Sequence, residues 1–160
     1  MLKNEKTKNI ATSGLIAATY VAVSLLLSGL SFGAIQIRPA EMFNHLAIYN
    51  KKYILTISLA VFIVNMFSPL GMIDMVVGTG STVLTMTTIY FATKLFKNEK
   101  VKYVVSTILG TVMMFPVAIE VSYVFNLPFW ATYVSIMIGE LIAMGVGSFV
   151  MYELNKRIHF

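Results

Sequence analysis

The sequence has no cysteine, which excludes disulfides and thiolate metal sites. Charge is nearly as scarce. Asp, Glu, Lys and Arg make up 12% of the 160 residues, about half of the roughly 25% usual in soluble domains. A chain this poor in charge cannot cover a soluble surface, and one this apolar is not disordered. Catalytic signatures are missing too. There is no GxxxxGK[ST] phosphate loop, since the best approach to one, Gly78-Thr79-Gly80-Ser81-Thr82, lacks the lysine. HExxH and GxSxG are absent. Asp74 is the single aspartate, so an aspartyl dyad is impossible. An intramembrane enzyme and a self-powered ATPase are therefore both disfavoured.

What fills the chain is apolar: 58% of residues are hydrophobic, and mean hydropathy is +0.80. The net charge of +5 would suit nucleic acid only if the basic residues shared one surface. They do not. Lys3, Lys6 and Lys8 precede an uncharged run from Ile10 to Leu30, long enough to cross a bilayer. Lys51 and Lys52 follow, then Lys94, Lys97, Lys100 and Lys102, then Lys156 and Arg157. Each interval holds enough residues to cross and return, and each breaks near its middle: at Ser28–Pro39, at Asn65–Gly71 and at Asn126–Pro128.

The pattern predicts an all-α integral membrane protein, a single domain over residues 1–160 with six transmembrane helices. The expected helices are 9–30, 39–50, 53–67, 74–96, 101–125 and 129–156, with both termini cytoplasmic and 11 of the 12 basic residues on that side. The second helix, about 18 Å long at 1.5 Å per residue, is too short for a hydrocarbon core of about 30 Å. The loop 31–38 must then dip inward, and irregular backbone at that depth has to line a cavity or be buried in protein. Residues 1–34 also admit a cleaved signal peptide, with Gly29-Leu30-Ser31 as the cutting site, although the apolar run is long for one.

Divided by side, the charge is +8 at the cytoplasmic end and −3 in the outer half, where Arg38 faces Glu41, Asp74, Glu120 and Glu140. Ionisable groups inside a bilayer are costly and mark functional sites. An excess of acid points to a cationic or donor-rich ligand. Milder alternatives stay open: Arg38 and Glu41 as an i, i+3 pair, and Asp74 as a helix cap. Asn44, Asn65, Tyr123, Asn126 and Trp130 fall at the same level and suit the edge and face of a flat ligand, although an interfacial aromatic belt explains the rings of Tyr123 and Trp130 as well. His45, one turn beyond Glu41, is more readily a satisfied core residue than a ligand. Gly14, Ala18 and Ala22 share one face of the first helix, a stripe that permits close helix approach.

The layout resembles the substrate-binding S-components of energy-coupling factor (ECF) transporters, with Gly14/Ala18/Ala22 similar to their docking stripe. The segment IQIRPAEMFNHLAIYNKKYI followed by FIVNMFSPLGMIDMVVGT resembles the QueT family, on Arg38, Glu41, Asn65 and Pro69-Leu70-Gly71-Met72-Ile73-Asp74. Pro39 and His45 depart from that pattern. The resemblance implies a multi-pass protein of a bacterial plasma membrane that takes up a cationic deazaguanine-type solute. Its binding residues would be Arg38, Glu41, Asn65, Asp74, Glu120, Tyr123, Trp130 and Glu140. Its partners would be an ECF coupling subunit, docked on Gly14, Ala18 and Ala22, and two ATPase subunits. It implies no cofactor or metal for this chain and no nucleic acid. The alternatives are an S-component for a different vitamin or nucleobase-like micronutrient and a stand-alone secondary carrier, although such carriers normally show two related halves.

Overall fold

A computed structural model describes residues 2–31, 37–158 and 160, with side chains described from residue 7 apart from those of residues 30 and 31. The described elements are helical: α1 (Leu2–Leu26), α2 (Ser28–Ser31), a 3-10 helix (Pro39–Ile48), α3 (Lys52–Asn65), α4 (Met72–Thr93), α5 (Glu99–Val112), α6 (Phe115–Phe125) and α7 (Phe129–Ile158). Among the described residues, four stretches are long and apolar enough to cross a bilayer: Thr7–Leu26, Met72–Thr93, Glu99–Phe125 and Phe129–Ile158. Helix α3 is apolar but shorter.

The distribution of side chains is the reverse of a water-soluble protein. Leu15, Leu84, Val104, Phe149 and many other apolar side chains stand exposed around the circumference, while Glu41, Asn44, His45, Asn65, Asp74, Glu120 and Glu140 are buried inside. Only an apolar solvent around the protein makes that arrangement favourable. The ends of the bundle are also distinct. Lys52 Nζ donates to Asn9 Oδ1 at 2.9 Å, Tyr49 meets Glu99, and Asn155 meets Glu99. The lysine-flanked chain ends and turns are therefore gathered at one end, and the breaks at 65–72 and 125–129 lie at the other.

Three expectations about the elements are revised. First, α1 begins at Leu2 and stops at Leu26, because helix continues through the lysine-rich start, where apolarity does not. It buries Ile16, Tyr20 and Ser24 in the bundle, so cleavage at Gly29–Ser31 would remove a wall of the core. The inward dip expected of 31–38 falls mostly on residues 32–36, outside the described residues.

Second, the expected helix 39–50 is a 3-10 helix, with Glu41 N bonded to Arg38 O at 2.9 Å and Tyr49 N to Leu46 O at 3.1 Å. Ten residues is long for this form, which is usually confined to three or four. Its pitch of three residues per turn eclipses every third side chain and divides the segment into three faces. Glu41, Asn44 and Ala47 form one. Ala40, Phe43 and Leu46 form a second and enter the apolar core. Met42, His45 and Ile48 form the third, which meets α7. A Cβ on Gly147 would collide with Met42, so only glycine allows this approach.

Third, the expected helix 101–125 is broken at Met113–Met114 into α5 and α6. Pro116 has no N–H, so the Val112 carbonyl four residues earlier loses its helical donor. The Tyr133 hydroxyl, from α7, takes that place at 2.7 Å. The break is thus satisfied by protein, as the membrane interior requires. A second apolar cluster of Leu70, Met114, Val117, Ala118, Val121 and Ile136 packs around it.

Candidate functional site

The four interior acids come from four different elements. Glu41 stands in the first turn of the 3-10 helix, Asp74 in the first turn of α4, Glu120 in α6 and Glu140 in α7. All are buried, Asp74 at 0% and Glu120 at 4% exposure. Arg38 lies in the field of Asp74, Glu41 and Glu140, Glu120 in that of Asp74 and Arg38, and Glu140 in that of Glu41 and Arg38. The structure therefore joins the five charged residues into one system. Among the described residues, no three acids or histidines stand close enough together to hold a metal ion. The carboxylates are spread along the interior rather than gathered at a point.

Their hydrogen bonding differs. Glu41 Oε1 accepts from the Tyr20 hydroxyl at 3.1 Å, and its Oε2 accepts from the Asn44 side-chain amide. Among the described residues, neither oxygen of Asp74 or of Glu120, nor Oε1 of Glu140, has a hydrogen-bonding partner. Burying such an oxygen without a donor costs several kcal/mol in an apolar medium, about 2–7 even for a neutral polar group. Groups of this kind are retained where something else completes them.

Asp74 does not cap its helix. The cap position is Gly71, at φ 69° and ψ −143°, a conformation that side-chain-bearing residues avoid. Asp74 is held from the backbone instead: the side-chain amide of Asn65, the last residue of α3, donates to its carbonyl at 2.8 Å. Gly78, one turn on, makes room. A Cβ there would lie 2.5 Å from both Asn65 Nδ2 and Asp74 Oδ1. Tyr20, Ser24, Arg38, Glu41, Val61, Val64 and Asn65 line a recess of about 20 Å³, room for about one water.

Two expected ligand residues stand elsewhere. Tyr123 is 78% exposed and Trp130 71% exposed, so neither ring is brought to the buried acids. On the bundle surface next to a helix end, both suit the aromatic belt better than a stacking role. His45 does not sit over Glu41 either. That expectation assumed an α-helical turn; the 3-10 pitch places Asn44 over Glu41 and turns His45 to the α7 face. There Nε2 meets the Met144 carbonyl and Nδ1 the Ser106 hydroxyl, both at 2.9 Å. Tyr20 is the site residue that sequence reasoning left out, and the sequence places Asn44 at the level of the acids without giving it a role beside Glu41. Asn44 has a legible signal in its three-residue spacing from Glu41, once the pitch is known. Gly14, Ala18 and Ala22 are all exposed, on the side of α1 turned away from the core.

A helical bundle with an apolar circumference and charged groups turned inward defines an integral membrane protein with a polar interior. The chain belongs to the QueT transporter family, whose sequence model matches residues 10–156. It is 31% identical over 166 residues to a protein of Lactococcus lactis subsp. cremoris (strain MG1363) named "Queuosine precursor transporter QueT", with 98% of each chain covered. No solved structure matches the chain.

Proposed function

We propose that this chain is the substrate-binding membrane subunit of an ECF-type importer and takes up a queuosine precursor from outside the cell. The candidates are queuine, queuosine and an aminomethyl-deazaguanine. In this reading the chain crosses the membrane six times, both termini are cytoplasmic, and the acid-lined end opens to the exterior. The observation that carries the ligand class is the excess of buried acid: four carboxylates against Arg38, with five carboxylate oxygens lacking any donor among the described residues. A deazaguanine offers a donor-rich ring edge and, in the amine-bearing precursors, a positive charge. Arg38, Glu41, Asn65, Asp74, Glu120 and Glu140 are the residues proposed to receive it, and the L. lactis relative's name supports the choice.

The energy source is proposed to be a partner. The sequence lacks a phosphate loop, and the exposed Gly14, Ala18 and Ala22 stripe is a face on which a coupling subunit with two ATPases could dock.

The test is calorimetric titration of the purified protein with queuine, with riboflavin, thiamin and folate as controls. Saturable binding of queuine alone is expected. Binding of a control instead would sink the substrate assignment. Affinity purification from native membranes then tests the coupling. Recovery of an ATPase pair supports an S-component, and uptake by the chain alone in ATP-free vesicles would make it a secondary carrier.

A further inference from the structure

We infer that Asp74 and Glu120 together form the subsite for a primary ammonium group of the ligand, and that Glu41 is a positioning residue beside it. The inference rests on the proposed deazaguanine ligand and assigns its amine to one pair of carboxylates. The four acids do not have equal capacity left. Both oxygens of Glu41 already accept hydrogen bonds, from Tyr20 and Asn44. All four oxygens of Asp74 and Glu120 are buried and accept none.

The pair comes from α4 and α6, which pack directly against each other, and both side chains are buried in the bundle, Glu120 within the field of Asp74. Two ionised carboxylates buried in one medium of low dielectric repel. Arg38 lies in the field of Asp74 first and of Glu41 and Glu140 as well, so a single positive charge is divided among several carboxylates. A neutral donor edge would fill the empty acceptor positions and leave the repulsion. An ammonium group brings three N–H donors and a positive charge, and so answers both.

The surroundings hold Asp74 ready. It lies in the first turn of α4, where the helix dipole favours an anion. Asn65 fixes its backbone, and Gly78 leaves its carboxylate space.

The test compares two ligands that share a ring, 7-aminomethyl-7-deazaguanine and 7-methyl-7-deazaguanine. Each is titrated calorimetrically into the full-length protein and into Asp74→Asn, Glu120→Gln and Glu41→Gln. The unaltered protein should prefer the amine at least tenfold, about 1.4 kcal/mol. Asp74→Asn and Glu120→Gln should each abolish the preference while keeping the affinity for the methyl ligand within a few fold. Glu41→Gln should weaken both ligands together and leave the ratio intact, and Tyr20→Phe should do the same. Glu120→Gln gives the readout on its own if Asp74→Asn does not fold. A preference that survives in both Asp74→Asn and Glu120→Gln overturns the subsite. So does equal binding of the two ligands by the unaltered protein, which leaves the proposed function standing. Failure of the unaltered protein to bind either ligand while it still binds queuine overturns the subsite and leaves the function standing, and failure to bind queuine as well overturns both.

Discussion

The side-chain amide of Asn65 donates to the backbone carbonyl of Asp74 at 2.8 Å, tying the end of α3 to the start of α4 across the intervening turn. Without it, the acid would depend on the Ser68–Gly71 turn alone for its position. Asn65→Ala should cost about 1 kcal/mol of stability, the usual net worth of one such bond. Ligand affinity should fall alongside. Thermal unfolding in detergent and calorimetry check the two effects separately.

Gly78 and Gly80 lie two residues apart on α4 and face different surroundings. A methyl group at Gly78 meets Asn65 and Asp74, whereas one at Gly80 meets nothing within 4 Å. Gly78→Ala should therefore lower ligand affinity by at least tenfold. Gly80→Ala should leave it unchanged and should stabilise the helix by up to about 1 kcal/mol. Equal affinities in the two variants would show that the space beside Asp74 has no part in binding.

His45 joins three elements: its ring meets Ser106 of α5 and the Met144 carbonyl of α7. A carbonyl only accepts, so Nε2 is the donor in that bond. Tyr103 packs on the ring with centroids 5.0 Å apart. His45→Ala removes both hydrogen bonds and opens a cavity, and should destabilise by about 3 kcal/mol. Ser106→Ala removes one bond and should cost about 1 kcal/mol. Chemical denaturation of the detergent-solubilised protein tests the order.

At the basic end, Glu99 Oε1 accepts from the Tyr49 hydroxyl at 2.6 Å and from Asn155 Nδ2 at 3.0 Å, and Tyr103 bonds Tyr49 at 2.8 Å. Burial, together with the bond to Glu99, pushes the Tyr49 phenol above its ordinary range, so it remains a donor across the physiological span. Phe160 packs against Tyr49 and Tyr53 and bonds Asn155 through its backbone. Glu99→Ala should destabilise by about 2 kcal/mol, since the bonds it removes are charge-assisted. Ligand affinity should not change, because this cluster lies at the far end of the bundle from the interior acids. A drop in affinity would mean that the two ends are coupled.

The stripe on α1 gives the converse separation. Ala18→Phe and Ala22→Phe add bulk to an exposed face and touch no core residue, so stability and ligand binding should persist. Uptake in cells and recovery of partner subunits should both fall sharply.

The sequence made the depth of the acids legible, because Glu41, Asp74, Glu120 and Glu140 interrupt long uncharged stretches and such interruptions are rare without cause. The breaks after Asn65 and at Asn126 were legible from glycine, proline and asparagine; Asn126 indeed adopts the left-handed conformation, φ 53°. The 3-10 pitch was not, because nothing in PAEMFNHLAI forbids an α-helix and the choice is made by packing against α7. The break before Pro116 was open to inference from the proline, but its stability depends on Tyr133 from a distant helix. The orientation of Tyr123 and Trp130 was not legible either, since an aromatic near a helix end looks the same in sequence whether it turns inward or outward.

The three-faced 3-10 segment behaves like a triangular prism wedged among its neighbours. At about 2.0 Å per residue, its ten residues reach about 20 Å, a depth that takes about thirteen residues of α-helix. Its faces repeat with a period of three. Inserting or deleting a single residue turns all that follows by about 120°, so that the residue bonding Glu41, the clamp on Met144 and the core-filling Leu46 exchange places. Substitutions along the prism act one face at a time, but a change in its length disorders all three at once. Between Arg38 and Tyr49 the reading frame of the helix is therefore constrained more tightly than any single side chain.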